Sequence, residues 1–127
     1  MLWLIIAKVF INIKIIKHMA AAIISDNTEL TQKVIDVLKT IYDPEIPVDI
    51  WELGLIYEVK VNAHAEVQVT MTLTSPSCPV AETLPPETEK KLRNIDGVKS
   101  AKIELTFEPP WEKDMMSEVA QLELGFM

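Results

Sequence analysis

The sequence predicts an α/β fold of the two-layer α+β type: a small mixed three-stranded sheet with helices on one face, in the order α-β-β-α-β-α. Three observations carry that prediction. From Val67 to Thr74 apolar and polar residues alternate without a break, which is the period of a strand with one buried face. Residues 30–41 place apolar side chains at helical spacing. A strand, a helix and a strand then follow one another between Val67 and Phe107, an order that in one sheet makes a right-handed parallel crossover.

Each element has its own local cause. Asp26 with Glu29 three residues on has the spacing of a helix N-cap and its reciprocal partner, and Leu30, Val34, Val37, Leu38 and Ile41 fall on one face of the helix that follows. That helix must stop before Pro44. Pro44 and Pro47 fix backbone angles and remove two donors, so a rigid irregular connection runs to Gly54. Tyr57, Val59 and Val61 then alternate with Glu58, Lys60 and Asn62 as a half-buried strand, and residues 62–65 turn the chain. In the second strand Val67, Val69, Met71 and Leu73 face the core, while Gln68, Thr70, Thr72 and Thr74 form a polar back. After Ser75-Pro-Ser-Cys-Pro79 a helical stretch runs to about Asn94, kinked or split by Pro85 and Pro86. Gly97 ends it. Ala101, Ile103, Leu105 and Phe107 make the third strand, and a short last helix begins near Ser117 with Val119, Leu122 and Leu124.

Residues 1–18 read differently. Met1 to Ile16 holds thirteen apolar residues broken by Lys8, Asn12 and Lys14, shorter than the roughly 20 apolar residues of a membrane span. Its positive charges lie inside and after the apolar stretch rather than before it, unlike a signal peptide. Val9, Ile11, Ile13 and Ile15 could alternate as a strand or an interfacial segment. Met19 precedes a short small-residue lead and a well-capped helix, so it is expected to be the biological start. On that reading residues 1–18 are an upstream extension, and residues 19–127 are a single domain.

Composition removes several function classes. The chain has 127 residues and a net charge of −7; with Lys8, Lys14 and Lys17 set aside, 9 basic residues face 19 acidic ones, a balance of −10. Nucleic acid is therefore not an expected partner, because phosphate binding relies on a basic patch. One cysteine, Cys78, excludes an internal disulfide, a CxxC pair and a thiolate-rich metal cage built from one chain. Three glycines and no Gly-rich phosphate motif leave no self-contained nucleotide loop. No membrane partner and a cytoplasmic location are expected.

Cys78 stands at the C-terminal end of a strand and just before a helix, where backbone donors and the helix dipole favour thiolate. A lone cysteine is more often a small buried hydrophobe, but one between Ser77 and Pro79 in a loop is less easily explained by packing. A nucleophile would need a base. His64, in the hairpin turn, lies at the opposite end of the second strand, and His18 lies in the extension, so a Cys/His pair is geometrically poor. Asp43, Glu45, Asp49 and Glu52 cluster in the proline loop and Asp114 lies near the C-terminus; they read as turn and surface acids before they read as a hard-metal site. Trp51 and Trp111 read as core lids and Met115 and Met116 as gap fillers, with a partner surface as the alternative. The row of Thr70, Thr72 and Thr74 reads as the solvated back of the sheet, with a groove for a homodimer or client as the alternative.

Three segments taken together resemble a known family. Asp43-Pro-Glu-Ile-Pro-Val48 through Leu53-Gly-Leu-Ile-Tyr57, Thr72-Leu-Thr-Ser-Pro-Ser-Cys-Pro-Val80, and Phe107-Glu-Pro-Pro-Trp111 through Asp114-Met-Met-Ser117 are similar, in order and spacing, to the SufT/PaaD-type family of iron-sulfur cluster assembly proteins. The resemblance covers roughly residues 29–124 and implies an iron-sulfur assembly domain that helps mature iron-sulfur proteins beside the SUF scaffold. It marks Cys78 as the family's reactive cysteine and places Asp43, Glu45, Trp111, Asp114 and Met116 on motif positions. The chain departs from the family in its N-terminal extension, in Pro86, and in Glu112 where relatives often have threonine.

Ligand arithmetic bounds the implied role. A cluster normally takes four ligands, mostly thiolates, and one chain supplies one. Any cluster must therefore be shared, between two Cys78 thiolates of a homodimer completed by carboxylates, exogenous thiols or a partner protein, or else no stable cluster forms. The expected function is a non-catalytic assembly factor with Cys78 as transient thiolate ligand and with SUF proteins and apo iron-sulfur clients as partners. The alternatives are a thiol enzyme using Cys78 as nucleophile or persulfide carrier, and an adaptor with a structural cysteine.

Overall fold

The computed structural model describes residues 21–44, 46–74 and 83–125. Four strands, β1 (Ala22–Ser25), β2 (Ile56–Val61), β3 (Glu66–Met71) and β4 (Ser100–Leu105), lie in the sheet in chain order. Helix α1 (Thr28–Leu38) joins β1 to β2, α2 (Leu84–Arg93) precedes β4, and α3 (Glu118–Glu123) follows a 3-10 turn at Lys113–Met115. The β1/β2 and β3/β4 pairs are parallel and the β2/β3 hairpin is antiparallel, so the sheet is mixed as predicted. Helices α1 and α2 touch each other and pack on the sheet, α1 against β2 and α2 against β4. The core between the layers includes Val34, Leu38, Val59, Val69 and Leu92, all 0% exposed. Each such side chain contributes about 1.5–3 kcal/mol of transfer free energy.

The fourth strand corrects the predicted count of three. Ala22-Ile-Ile-Ser25 has no polar alternation of its own, and what makes it a strand is its parallel pairing with residues 58–61 of β2. The helix cap moves by one residue. Asn27 is the N-cap, its Oδ1 accepting from the Leu30 amide at 3.0 Å, while the Asp26 amide donates to the Val61 carbonyl at 2.8 Å and extends the strand pairing. A bulge between Ile56 and Glu58 shifts the register of β2. Ile56, at 3% exposure, takes the core position predicted for Tyr57, which is half-buried.

Two further local predictions change for physical reasons. Thr72 is 0% exposed rather than solvated, and its amide donates to the Leu55 carbonyl at 2.8 Å. Pro85 and Pro86 stand in the first turn of α2, where the missing amide hydrogens would have had no helical partner. At the hairpin, Asn62 Oδ1 accepts from the amides of His64 and Glu66, and Ala65 takes a φ of 61°. The expected last helix is present, with Ser117 Oγ accepting from the Ala120 amide at 3.2 Å. The expected extension at residues 1–18 lies outside the described residues.

Candidate functional site at one end of the sheet

Topology brings the described parts of the three motif segments to one end of the sheet. Strand β2 runs antiparallel to β3, so the loop that enters β2 meets the chain as it leaves β3; the Thr72 amide to Leu55 carbonyl bond marks that junction. Strand β4 runs parallel to β3, so the segment leaving β4 starts beside the same point, where the Thr106 amide donates to the Met71 carbonyl at 2.9 Å. Cys78 and Glu45 lie outside the described residues, which run past the end of β3 to Thr74 and resume at Thr83.

The proline loop is built by its aspartates. Tyr42 and Asp49 pair as an isolated bridge, and the Ile50 amide donates to the Ile41 carbonyl at 2.8 Å. Asp43, only 6% exposed, accepts from the Ile46 amide at 3.1 Å through Oδ1, while its own amide donates to the Val48 carbonyl at 3.3 Å. Its carboxylate therefore braces the turn that Pro44 and Pro47 stiffen. Asp49 does the same one turn later, with Oδ2 accepting from the Glu52 amide at 3.0 Å. Burial pushes the Asp49 carboxyl above the usual carboxylate range, the neighbouring Glu52 charge adds to this, and backbone amides partly offset both.

The C-terminal segment is fastened to that loop at several points. Trp111 Nε1 donates to the Leu53 carbonyl at 2.8 Å, and the Tyr57 hydroxyl donates to the Pro109 carbonyl at 2.7 Å with Met115 Sδ 3.6 Å away. Burial raises the Tyr57 phenol above its ordinary value, partly offset by the Thr72 hydroxyl. The Ser117 amide donates to the Glu52 carbonyl at 2.9 Å. Gly54 has φ of +81°, and a Cβ there would fall on the Met115 carbonyl, so backbone approaches backbone at a position only glycine fills.

Of the motif residues, Trp111 makes this clasp and Met116 belongs to the core. Met116 is 2% exposed, and its carbonyl accepts from Gln121 Nε2 at 2.9 Å. Asp114 sits exposed on the 3-10 turn, and Asp43 holds its own loop. Gly54, Tyr57 and Asp49 carry structural weight that the motif positions did not single out. Gly54 was signalled by its rarity in a glycine-poor chain, but the bulge that turns Tyr57 had no sequence mark. Among the described residues no three His, Cys, Asp or Glu side chains converge as a metal site, and no helix is long and apolar enough to cross a membrane.

A mixed sheet with two helices packed on it, and with the segments that enter β2 and leave β3 and β4 meeting at one end, defines a small α/β domain. The chain belongs to the family described as iron-sulfur cluster assembly protein, whose pattern matches residues 31–105. It is similar to the Fe-S protein maturation auxiliary factor of Porphyromonas gingivalis, with 54% identity over 96 residues covering 76% of this chain and 91% of that one. It is also similar to the auxiliary factor SufT of Staphylococcus aureus, 38% identical over 85 residues, or 67% of this chain and 97% of the relative. In fold it matches the crystal structure of a domain of unknown function from Bacillus anthracis, with a TM-score of 0.73, 34% identity, and coverage of 79% of this chain and 95% of that one. The SufT-type resemblance and the fold class read from the sequence both hold.

Proposed function

We propose that this chain is a non-catalytic maturation factor that transfers iron-sulfur clusters, or helps insert them, into client proteins, with Cys78 as a transient thiolate ligand. The observation that carries the reading is the 54% identity, over most of both chains, with a protein named as a maturation auxiliary factor. The meeting of two motif segments at one sheet end supports it, since a braced acidic loop and a clasped C-terminal segment stand beside the point where the chain leaves β3 toward Cys78. The cluster is cargo. One thiolate per chain cannot hold it alone, so further ligands come from a second chain or a partner, and the acidic loops dock SUF assembly proteins and apo clients.

The test is anaerobic reconstitution with iron and sulfide, read by absorbance, iron content and size, with Cys78→Ser alongside and an apo client as acceptor. Expected are cysteine-dependent colour that moves to the client, and a Cys78→Ser protein that folds but does not support client maturation. A Cys78→Ser protein with full maturation activity would defeat the assignment of Cys78.

A further inference from the structure

The face of the sheet opposite the helices carries two transverse rows of side chains. The backbone register sets Ile24, Lys60, Gln68 and Lys102 side by side in one row. Ala22, Glu58, Thr70 and Glu104 stand side by side in the next. Residues two apart on one strand are about 7 Å apart, so the two rows run parallel across the sheet, one basic and the other acidic at their β2 and β4 positions. Within the chain the rows already attract: Lys60 Nζ lies 3.2 Å from Glu58, and Gln68 Nε2 donates to Glu104 at 2.9 Å. Lys60, Lys102 and Glu104 remain exposed, and Ile24 is 54% exposed.

We propose that this face is the interface of a symmetric dimer with a second copy of the chain. The rows are complementary to themselves. A two-fold axis between the two sheets, parallel to the rows and midway between them at the level of Val69, reverses strand direction and keeps strand order. Lys60 then meets the second copy's Glu58, Lys102 meets its Glu104, and Gln68 meets its Thr70. At the β1 edge the large Ile24 lies over the small Ala22. Stacked sheets lie about 10 Å apart, a gap that lysine and glutamate side chains span together.

Shape follows the same axis. Beside the basic row, toward the hairpin, lies an open groove of about 410 Å³ whose lining includes Lys60, Gln68 and Lys102, with Asp26 and Glu66 at its rim. At the other end of the face Tyr57 and Thr72 are covered, the C-terminal segment being tied down through Pro109. The axis sets the covered end of each copy over the groove of the other. The footprint is about 19 Å by 20 Å, well under the ~800 Å² per partner of a standard stable interface. The dimer is therefore weak, dependent on concentration and loosened by salt.

Sedimentation velocity of the metal-free full chain, over a concentration series at low and high salt, tests the dimer separately from any cluster chemistry. The double variants Lys60→Glu with Lys102→Glu, and Glu58→Lys with Glu104→Lys, should each dimerise at least tenfold more weakly while keeping the native circular dichroism spectrum. Their equimolar mixture should recover the dimer, because the new acidic pair of one then faces the new basic pair of the other. Thr70→Arg, mid-face, should weaken it as well without reversing a row. A wild-type chain that stays monomeric throughout, variants that dimerise like the wild type, or folded variants whose mixture does not recover would each overturn the interface.

Discussion

The Trp111 indole donates a 2.8 Å hydrogen bond to the Leu53 carbonyl, joining segments 58 residues apart in sequence. Leu53 itself is 0% exposed, in the turn that leads to β2, and Trp111 is half-buried beside it. A segment that leaves β4 is thus held against the segment that enters β2, beside the sheet end where β3 hands over to the Cys78 segment.

Replacing Trp111 by Phe keeps most of the ring and removes the donor. The Leu53 carbonyl then loses its indole partner, and the expected cost is about 1–3 kcal/mol, toward the upper end where water does not reach the carbonyl. Urea unfolding of Trp111→Phe against wild type measures it. Equal midpoints would mean that the bond does not fasten the segment.

Gly54 and Gly125 make a controlled pair, since both have positive φ but only Gly54 faces backbone. Gly125→Ala meets nothing within 4 Å and should lose only the left-handed penalty of about 1–2 kcal/mol. Gly54→Ala adds a collision with the Met115 carbonyl that backbone must move to relieve, so its loss should exceed about 2 kcal/mol. Amide hydrogen exchange should also quicken at Met115 and Ser117 in Gly54→Ala alone; similar protection in both variants would show that the close approach is not a constraint.

What was legible in the sequence followed from short-range periodicity. Val67, Val69 and Met71 read as the core face of a strand and are 3%, 0% and 0% exposed. The β3-α2-β4 order read as a parallel crossover, and β3 and β4 pair in parallel. Strand β1 was not legible because its four residues owe their conformation to a neighbour 36 positions later, Ala22 pairing with Glu58. Tyr57 was misplaced because a bulge changes the side-chain period without changing composition. For the site, Trp111 and Met116 stood out as motif residues, yet their partners did not. The bond from Trp111 goes to a backbone carbonyl, which every residue carries and no pattern marks.

The shifted helix cap gives a sharp discrimination between neighbours. Asn27 Oδ1 accepts from Leu30, so Asn27→Ala should cost about 1 kcal/mol. Asp26 takes part through its backbone amide, bonded to the Val61 carbonyl at 2.8 Å, so Asp26→Ala should stay within about 0.5 kcal/mol. Thermal midpoints of the two variants decide it. A larger loss at position 26 would return the cap to the place that Asp26 and Glu29 suggest in the sequence.

Asp49 gives a prediction in pH. Burial and the nearby Glu52 charge raise its carboxyl in the folded chain above the value it has when unfolded. Between those two values the folded state binds more protons than the unfolded state, so Asp49's contribution to stability falls as pH rises through that window and stays low above it. Asn at position 49 can still accept from the Glu52 amide through its side-chain oxygen, and it carries no charge to desolvate. Asp49→Asn should therefore gain on the wild type as pH rises from below the carboxylate range to neutrality, and the gain should level off once Asp49 is fully ionised. Paired urea titrations from about pH 3.5 to pH 7 read the difference directly, with every other carboxylate common to both proteins. A difference that is flat with pH, or that favours the wild type more strongly at neutrality, would mean that amide donation outweighs burial at this turn.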